Sequence, residues 1–208
     1  MKDLFFIRHG QTEWNAERRM QGQLNSDLTS LGKKQAETHG KFLAACDIEY
    51  LVASPLDRTR QTASIINQHL ALDIIYDKRI MEWDCGDWSG QIWGELAENW
   101  PREFSNWRAD PYYYRGPNCE NYPDMIERTK PFLEDLRQVP QQRIAIVSHG
   151  LIGRVMVSFL LNLGPEEALT LTQPNDTIFQ LKGQDDGYAS CHFISGEGPI
   201  NGLPRSLV

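Results

Sequence analysis

The sequence predicts an α/β fold: a three-layer sandwich with a mostly parallel central sheet, helices on both faces and an aromatic-rich insertion. Three observations predict it. Two short apolar runs, residues 4–7 and 144–147, each end in His-Gly, as buried parallel strands do when they run into a turn. A third run, Leu51-Val52-Ala53, leads into Ser54-Pro55-Leu56-Asp57, with a capping residue, a proline for the first helical position and an acid for the first turn. Between and beyond these runs lie segments of helical period, and strands that alternate with helices build a parallel sheet by right-handed crossovers.

Taken in chain order, residues 4–7 form the first strand and Arg8-His9-Gly10 the turn that follows it. A helix is expected over residues 29–45, capped by Thr29 or Ser30. The strand at 51–53 feeds a helix that starts at Pro55 and carries Arg58 in its first turn, where unpaired N–H groups favour an anion. Further helices are expected over 91–100, 120–136 and 151–161, with the strand at 144–147 just before the last of them. The Gly- and Pro-containing end, residues 195–208, reads as loosely ordered, and no internal repeat interrupts the pattern.

Residues 82–115 differ in kind, holding five of the six tryptophans and the run Tyr112-Tyr113-Tyr114. Trp93, Leu96, Ala97 and Trp100 follow helical spacing, so this stretch reads as a helix packing an apolar face inside a lid insertion of about residues 83–118. The whole chain, 1–208, is expected to be one domain.

Composition bounds the partners. A chain of 208 residues with 21 Lys and Arg against 28 Asp and Glu carries a net charge of −7, which disfavours nucleic acid and anionic membrane as ligands. An anionic small molecule must therefore meet a local positive pocket. No apolar stretch approaches bilayer length and the N-terminus lacks a signal-peptide core, so a cytoplasmic protein is expected. Cys46, Cys85, Cys119 and Cys191 are widely spaced and are read as free thiols. Oligomeric state is not legible, and a homo-oligomer stays open.

Open α/β sheets bind ligands beyond the carboxyl ends of their strands, so His9 and His149 can meet at one crevice. Arg8, Arg58 and an acid within Met81-Glu82-Trp83-Asp84-Cys85-Gly86-Asp87 complete the set. Other chemistries lose support: no Cys has Arg six positions later, no P-loop occurs, and no histidine pair has metal-ligand spacing on a helix. Neither metal nor cofactor is expected.

With these pieces the sequence resembles the histidine phosphatase superfamily, in the branch that holds cofactor-dependent phosphoglycerate mutase, fructose-2,6-bisphosphatase and many small bacterial phosphatases. The matching motifs are Arg8-His9-Gly10-Gln11-Thr12 with Asn15, Arg19-Met20-Gln21-Gly22, Leu28-Thr29-Ser30-Leu31-Gly32, Ser54-Pro55-Leu56-Asp57-Arg58-Thr59, Glu82 with its Gly-x-Trp-x-Gly, and Ser148-His149-Gly150. The resemblance implies that His9 attacks phosphorus and becomes a phosphohistidine, with Glu82 as general acid and then general base. Arg8 and Arg58 supply planar forks for phosphate oxygens, and their charge keeps His9 neutral. It further implies that His149 donates to the phosphoryl group, with Thr12, Asn15, Gln21, Gly22 and Gly150 around the rim. The ligand is then a small phosphorylated metabolite.

Two departures bear on the substrate. The phosphatases of this family commonly carry Gly-Gly-Glu-Ser where this chain reads Asn118-Cys119-Glu120-Asn121. The mutases carry paired arginines after the acid motif and Asn after the second His-Gly, whereas Arg102, Arg108 and Arg115 are separated here and Leu151 follows Gly150. Hydrolysis of a phosphomonoester is the expected activity. Mutase-type transfer is the alternative, and a phosphate-binding module without catalysis is a third.

Overall fold

A computed structural model describes residues 2–206. The elements follow in order: β1 (Asp3–Arg8), α1 (Glu13–Ala16), α2 (Ser30–Ala44), β2 (Tyr50–Ala53), α3 (Asp57–Leu70), β3 (Ile74–Tyr76), α4 (Leu96–Asn99), α5 (Pro101–Ala109), α6 (Tyr122–Gln138), β4 (Arg143–Ser148), α7 (Gly150–Leu160), α8 (Pro165–Thr170), β5 (Thr177–Gln184), β6 (Gly187–Ile194) and β7 (Glu197–Asn201). One seven-stranded sheet has the order β3-β2-β4-β1-β5-β6-β7. Its core is parallel, from β3 through β1, and β5 to β7 extend it antiparallel.

Alternation along the strands decides what each face buries. Leu4 and Phe6 of β1, with Ile144 and Ile146 of β4, meet Phe132, Leu133 and Leu136 of α6 and Met156 and Val157 of α7. Phe5 and Ile7, with Ala145 and Val147, turn to the other face and meet Leu43 of α2 and Ala63 and Ile66 of α3. The strands are apolar at successive positions because both faces are covered, which is why they read as continuous runs. The α/β sandwich with a parallel core is as expected.

Several local expectations are corrected. The helix expected from Pro55 begins at Asp57, its cap is Leu56 with no side-chain bond, and Ser54 Oγ lies 2.8 Å from His149 Nε2. The helix expected over 91–100 is instead a turn at Trp93–Glu95 followed by the short α4, which ends where Pro101 drives Trp100 out of the helical region (φ −136°) and starts α5. The helix expected from residue 120 starts at Tyr122, after an Asn121–Asp124 capping box, and runs through Pro131 to Gln138.

The end expected to be loosely ordered is held by pairing: β7 adds to β6, and Arg205 bridges to Leu171. Every β7 residue is exposed, so the strand forms through its backbone and shows no apolar pattern. Residues 207 and 208 lie outside the described range. Among the described residues no helix is long and apolar enough to cross a membrane.

Candidate active site

Three neighbouring strands, β2, β4 and β1, deliver Ser54, His149 and His9 to the carboxyl edge of the parallel sheet. The turn after β1 is drawn tight because Gly10 and Gly32 touch: a Cβ on Gly10 would lie 2.2 Å from Gly32 O. His9 is fixed at every polar atom. Its N–H donates to Ser148 O (3.0 Å), its C=O accepts from Asn175 Nδ2 (2.7 Å), and its ring Nδ1 donates to Gly10 O (2.8 Å). That last bond places the ring proton on Nδ1 and the lone pair on Nε2, which accepts from Arg58 Nε at 3.2 Å.

The pKa of His9 lies well below its ordinary value, first through burial and then through Arg58 and Arg8. Burial contributes more than either of the two cations on which the sequence reading relied. His149 packs edge-on against His9, with ring centroids 5.3 Å apart, and burial pushes its pKa down likewise. Its Nδ1 is buried without a partner.

The arginines are held from behind. Arg8 donates from one terminal nitrogen to Gln173 O (2.8 Å), while its Nε is buried and unpaired. Gly150 packs so closely that a Cβ there would sit 3.1 Å from the Arg8 guanidinium carbon. Arg58 differs from expectation, because its two terminal nitrogens donate to Leu24 O and Gly22 O, both at 2.7 Å. The 22–24 loop therefore anchors the fork, and Nε–H faces His9. Burial is the main reason both arginines are lowered to a pKa of about 10, which leaves them charged at neutral pH.

Glu82 lies across the mouth of this nest. Its Oε1 accepts from Ile152 N (3.0 Å) and Trp83 N (2.9 Å), and its Oε2 from Leu151 N (3.3 Å), so the carboxyl sits on the N-terminus of α7. The rival acids are turned elsewhere: Asp84 accepts from Gly86 N and Asp87 from Asn118 Nδ2.

Arg8, His9, Arg58, Glu82, Asn15, Gln21, Gly22 and Gly150 line one cavity of about 740 Å³. Of the residues expected at the rim, Thr12 is not among its lining. It is fully buried and caps α1, its hydroxyl accepting from Asn15 N and its N–H donating to Asn15 Oδ1. The hydroxyl orients Asn15 and leaves the contact to Asn15. The cavity continues outward between Trp93, Trp107 and Tyr114.

Sequence reasoning missed three supports. Asn175 and Gln173, from the loop before β5, hold His9 and Arg8, and no motif marks that loop. Arg128 of α6 was also missed. It donates to Arg79 O (2.8 Å), Met81 O (3.0 Å) and Glu82 O (3.4 Å) and grips both Glu120 oxygens at 2.7 Å. Glu120 in turn accepts from Asp84 N (2.9 Å), so one guanidinium ties the acid-bearing segment to α6. Arg128→Met is expected to lower kcat by about 10- to 100-fold through misplacement of Glu82, with the inhibition constant of inorganic phosphate nearly unchanged. Equal loss of phosphate binding would contradict that role.

Burial of neutral His9, His39 and His149 also makes stability depend on pH. The unfolded chain takes up a proton at each below its ordinary value of 6.5 and the native state resists it, so stability is lost as pH falls through that value. Each contributes at most about 1.4 kcal/mol per pH unit. The carboxylates with lowered pKa act lower still, Glu37 and Glu49 below 4.5 and Asp77 below 3.8. A Tm that drops between pH 6.5 and pH 5 is expected, and a flat Tm there would contradict neutral burial.

Comparison with known proteins gives the family of the chain. The sequence profile of the histidine phosphatase superfamily (branch 1) matches residues 4–193. A probable phosphoglycerate mutase GpmB from Escherichia coli O1:K1 / APEC is 38% identical over 208 residues, covering 98% of this chain and 95% of that protein. Its counterpart from Shigella boydii is 36% identical over the same coverage. Among solved structures, a mycobacterial glucosyl-3-phosphoglycerate phosphatase complexed with VO3 aligns with a TM-score of 0.82 at 26% identity, over 93% of this chain and 98% of that one. A putative alpha-ribazole-5'-P phosphatase from Escherichia coli shares the fold, with a TM-score of 0.85 at 20% identity over 100% and 99% of the two chains. The chain belongs to the histidine phosphatase superfamily, branch 1.

Proposed function

We propose that the protein is a phosphatase that hydrolyses a small phosphomonoester through a covalent phosphohistidine on His9. The observation that carries this reading is the state of the imidazole: Nδ1–H bonded to Gly10 O, a lone pair on Nε2, and beside it the buried Arg58 and the half-buried Arg8, whose Nε is buried. Phosphoryl transfer needs an aligned nucleophile and fixed positive charge at the equatorial oxygens, and little else from the protein.

In the first step Nε2 attacks phosphorus, the ester P–O bond breaks, and Glu82 gives a proton to the departing alkoxide. Arg58 Nε–H turns from Nε2 to a phosphoryl oxygen. Arg8 Nε and His149 Nδ1, both buried without partners, receive the other oxygens. In the second step Glu82 takes a proton from water, the water oxygen bonds to phosphorus, the N–P bond breaks and inorganic phosphate leaves. Asn15, Gln21, Gly22 and Gly150 border the phosphoryl group, and residues 83–118 act as a lid on a single domain. No metal or cofactor enters this scheme, and a cytoplasmic metabolite is the natural substrate.

The name of the 36–38% identical relatives favours a second reading, in which the phosphoryl group returns to another hydroxyl of the same molecule. A panel of phosphate esters, read for free phosphate and for isomerised product with and without chelator, separates the two. Stoichiometric free phosphate is expected. Isomerised phosphoglycerate without phosphate release would establish the mutase, and no turnover of any ester would favour a binding module.

A further inference from the structure

We propose that the substrate is a phosphomonoester of an uncharged, apolar or aromatic alcohol, selected by the wall of Trp93, Trp107 and Tyr114; the inference rests on the phosphatase reading. Few of the charged groups that line the cavity are free. Of the two carboxylates that line it, Glu120 has both oxygens on Arg128, and only Glu82 is uncommitted to a cation. Of the four arginines, Arg19 is tied at the mouth to Glu17 Oε2 (2.9 Å) and Gly90 O (2.7 Å). Arg8, Arg58 and Arg154 meet no carboxylate within ion-pair distance among the described residues. With Glu82 holding the proton that it gives to the leaving oxygen, three guanidiniums face the phosphomonoester dianion, and what decides is where the third of them lies.

Arg154 belongs to the phosphate end. Its Nε donates to Gly150 O (2.9 Å) and one terminal nitrogen to Leu171 O (2.7 Å), and Gly150 is the residue packed on the Arg8 guanidinium. No free cation is left at the outer end of the cavity to receive a second anionic group of the substrate.

That outer end is built of rings. Trp93 and Trp107 meet edge to face at 5.2 Å and 88°, and Phe104 stacks behind Trp107 at 5.7 Å and 22°. Trp93 remains 40% exposed among the described residues, a large apolar surface on the cavity side. Trp83 uses its indole N–H on Glu120 O (2.6 Å), so only its ring is available to a ligand. A carboxylate brought against these ring faces would shed water and meet the negative side of the ring quadrupoles. A neutral ring would stack there. At about 740 Å³ the cavity has room for such a group beside the phosphate, within the range of about 300–1,000 Å³ that encloses drug-sized ligands.

The test compares primary alkyl phosphates, so that the leaving oxygen is alike in all: 2-(1-naphthyl)ethyl phosphate, 2-phenylethyl phosphate, glycerol 3-phosphate and 3-phosphoglycerate. The expected order of kcat/KM follows that sequence, with naphthylethyl phosphate at least about 30-fold above 3-phosphoglycerate. In Trp107→Leu and Trp93→Leu the ratio of naphthylethyl to glycerol phosphate is expected to fall about tenfold or more, and as a ratio it is independent of the fraction of enzyme folded. Turnover of 3-phosphoglycerate equal to or better than that of naphthylethyl phosphate would overturn the inference while leaving the phosphatase reading standing. So would a ratio unchanged in both variants. No turnover of any ester would overturn both readings together.

Discussion

His9→Ala is expected to lower kcat/KM for every phosphomonoester by about 10⁴-fold or more, because the substitution removes the only atom placed to bond to phosphorus. His149, the other histidine of the nest, cannot substitute. Its Nε2 is engaged with Ser54 Oγ, and its Nδ1 must carry the proton that it gives to a phosphoryl oxygen, so neither nitrogen is free to attack phosphorus. What survives in His9→Ala is the charge of Arg8 and Arg58, each held by contacts that do not involve His9: Arg8 by Gln173 O, Arg58 by Gly22 O and Leu24 O. Inorganic phosphate should therefore still bind, and it should bind without turnover. Initial rates with p-nitrophenyl phosphate, together with phosphate titration of the variant, check both halves. A residual rate within tenfold of wild type would mean that water attacks the ester directly and that His9 is only a ligand to phosphate.

Glu82→Gln is expected to separate the two chemical steps. Alkyl esters, whose alkoxide must be protonated as it leaves, should slow by about 10²- to 10⁴-fold. With p-nitrophenyl phosphate the leaving group needs no proton, so the first step should proceed and the second, which needs a base to activate water, should become limiting. The expected trace is a burst of one nitrophenolate per active site followed by a slow steady state. The amide keeps an oxygen acceptor for Trp83 N and Ile152 N, so the segment should stay in place. Equal slowing of activated and unactivated esters, without a burst, would remove Glu82 from the acid–base role.

The sequence carried the catalytic edge of the sheet well, for a physical reason. Residues at the ends of buried parallel strands are flanked by continuous apolar runs, and Phe5-Phe6-Ile7 before His9 and Ile146-Val147 before His149 marked both histidines. Arg58 stood out because Pro55 and Asp57 announce a helix start, although the cap itself was misjudged and Ser54 serves His149 instead. The antiparallel strands were not legible. In β6 only Cys191, His192 and Phe193 are buried, and β7 buries no side chain, so neither leaves a period of two strong enough to read.

The site's outer shell was hidden for another reason. Asn175, Gln173 and Arg128 act on backbone atoms far away in sequence, and one side chain that donates to a distant carbonyl leaves no local pattern. The aromatic segment misled through its spacing. Trp93, Leu96 and Trp100 fit a helical period, but α4 covers only Leu96–Asn99 and Trp93 lies in the turn before it, so Leu96 is buried in the interior and Trp93 lines the cavity. The composition pointed to an assembled aromatic body without showing which rings meet the ligand.

The most direct measurement is rapid acid-free quench of the wild-type enzyme during turnover of a labelled phosphomonoester, followed by proteolysis and peptide mass spectrometry. The structure predicts a phosphoryl group on the peptide containing His9, stable in alkali and labile in acid, formed and lost at rates that account for kcat. Because Nδ1 is held by Gly10 O, the phosphoryl group should be on Nε2. No adduct under conditions of full turnover, or an adduct on any other side chain, would contradict the account.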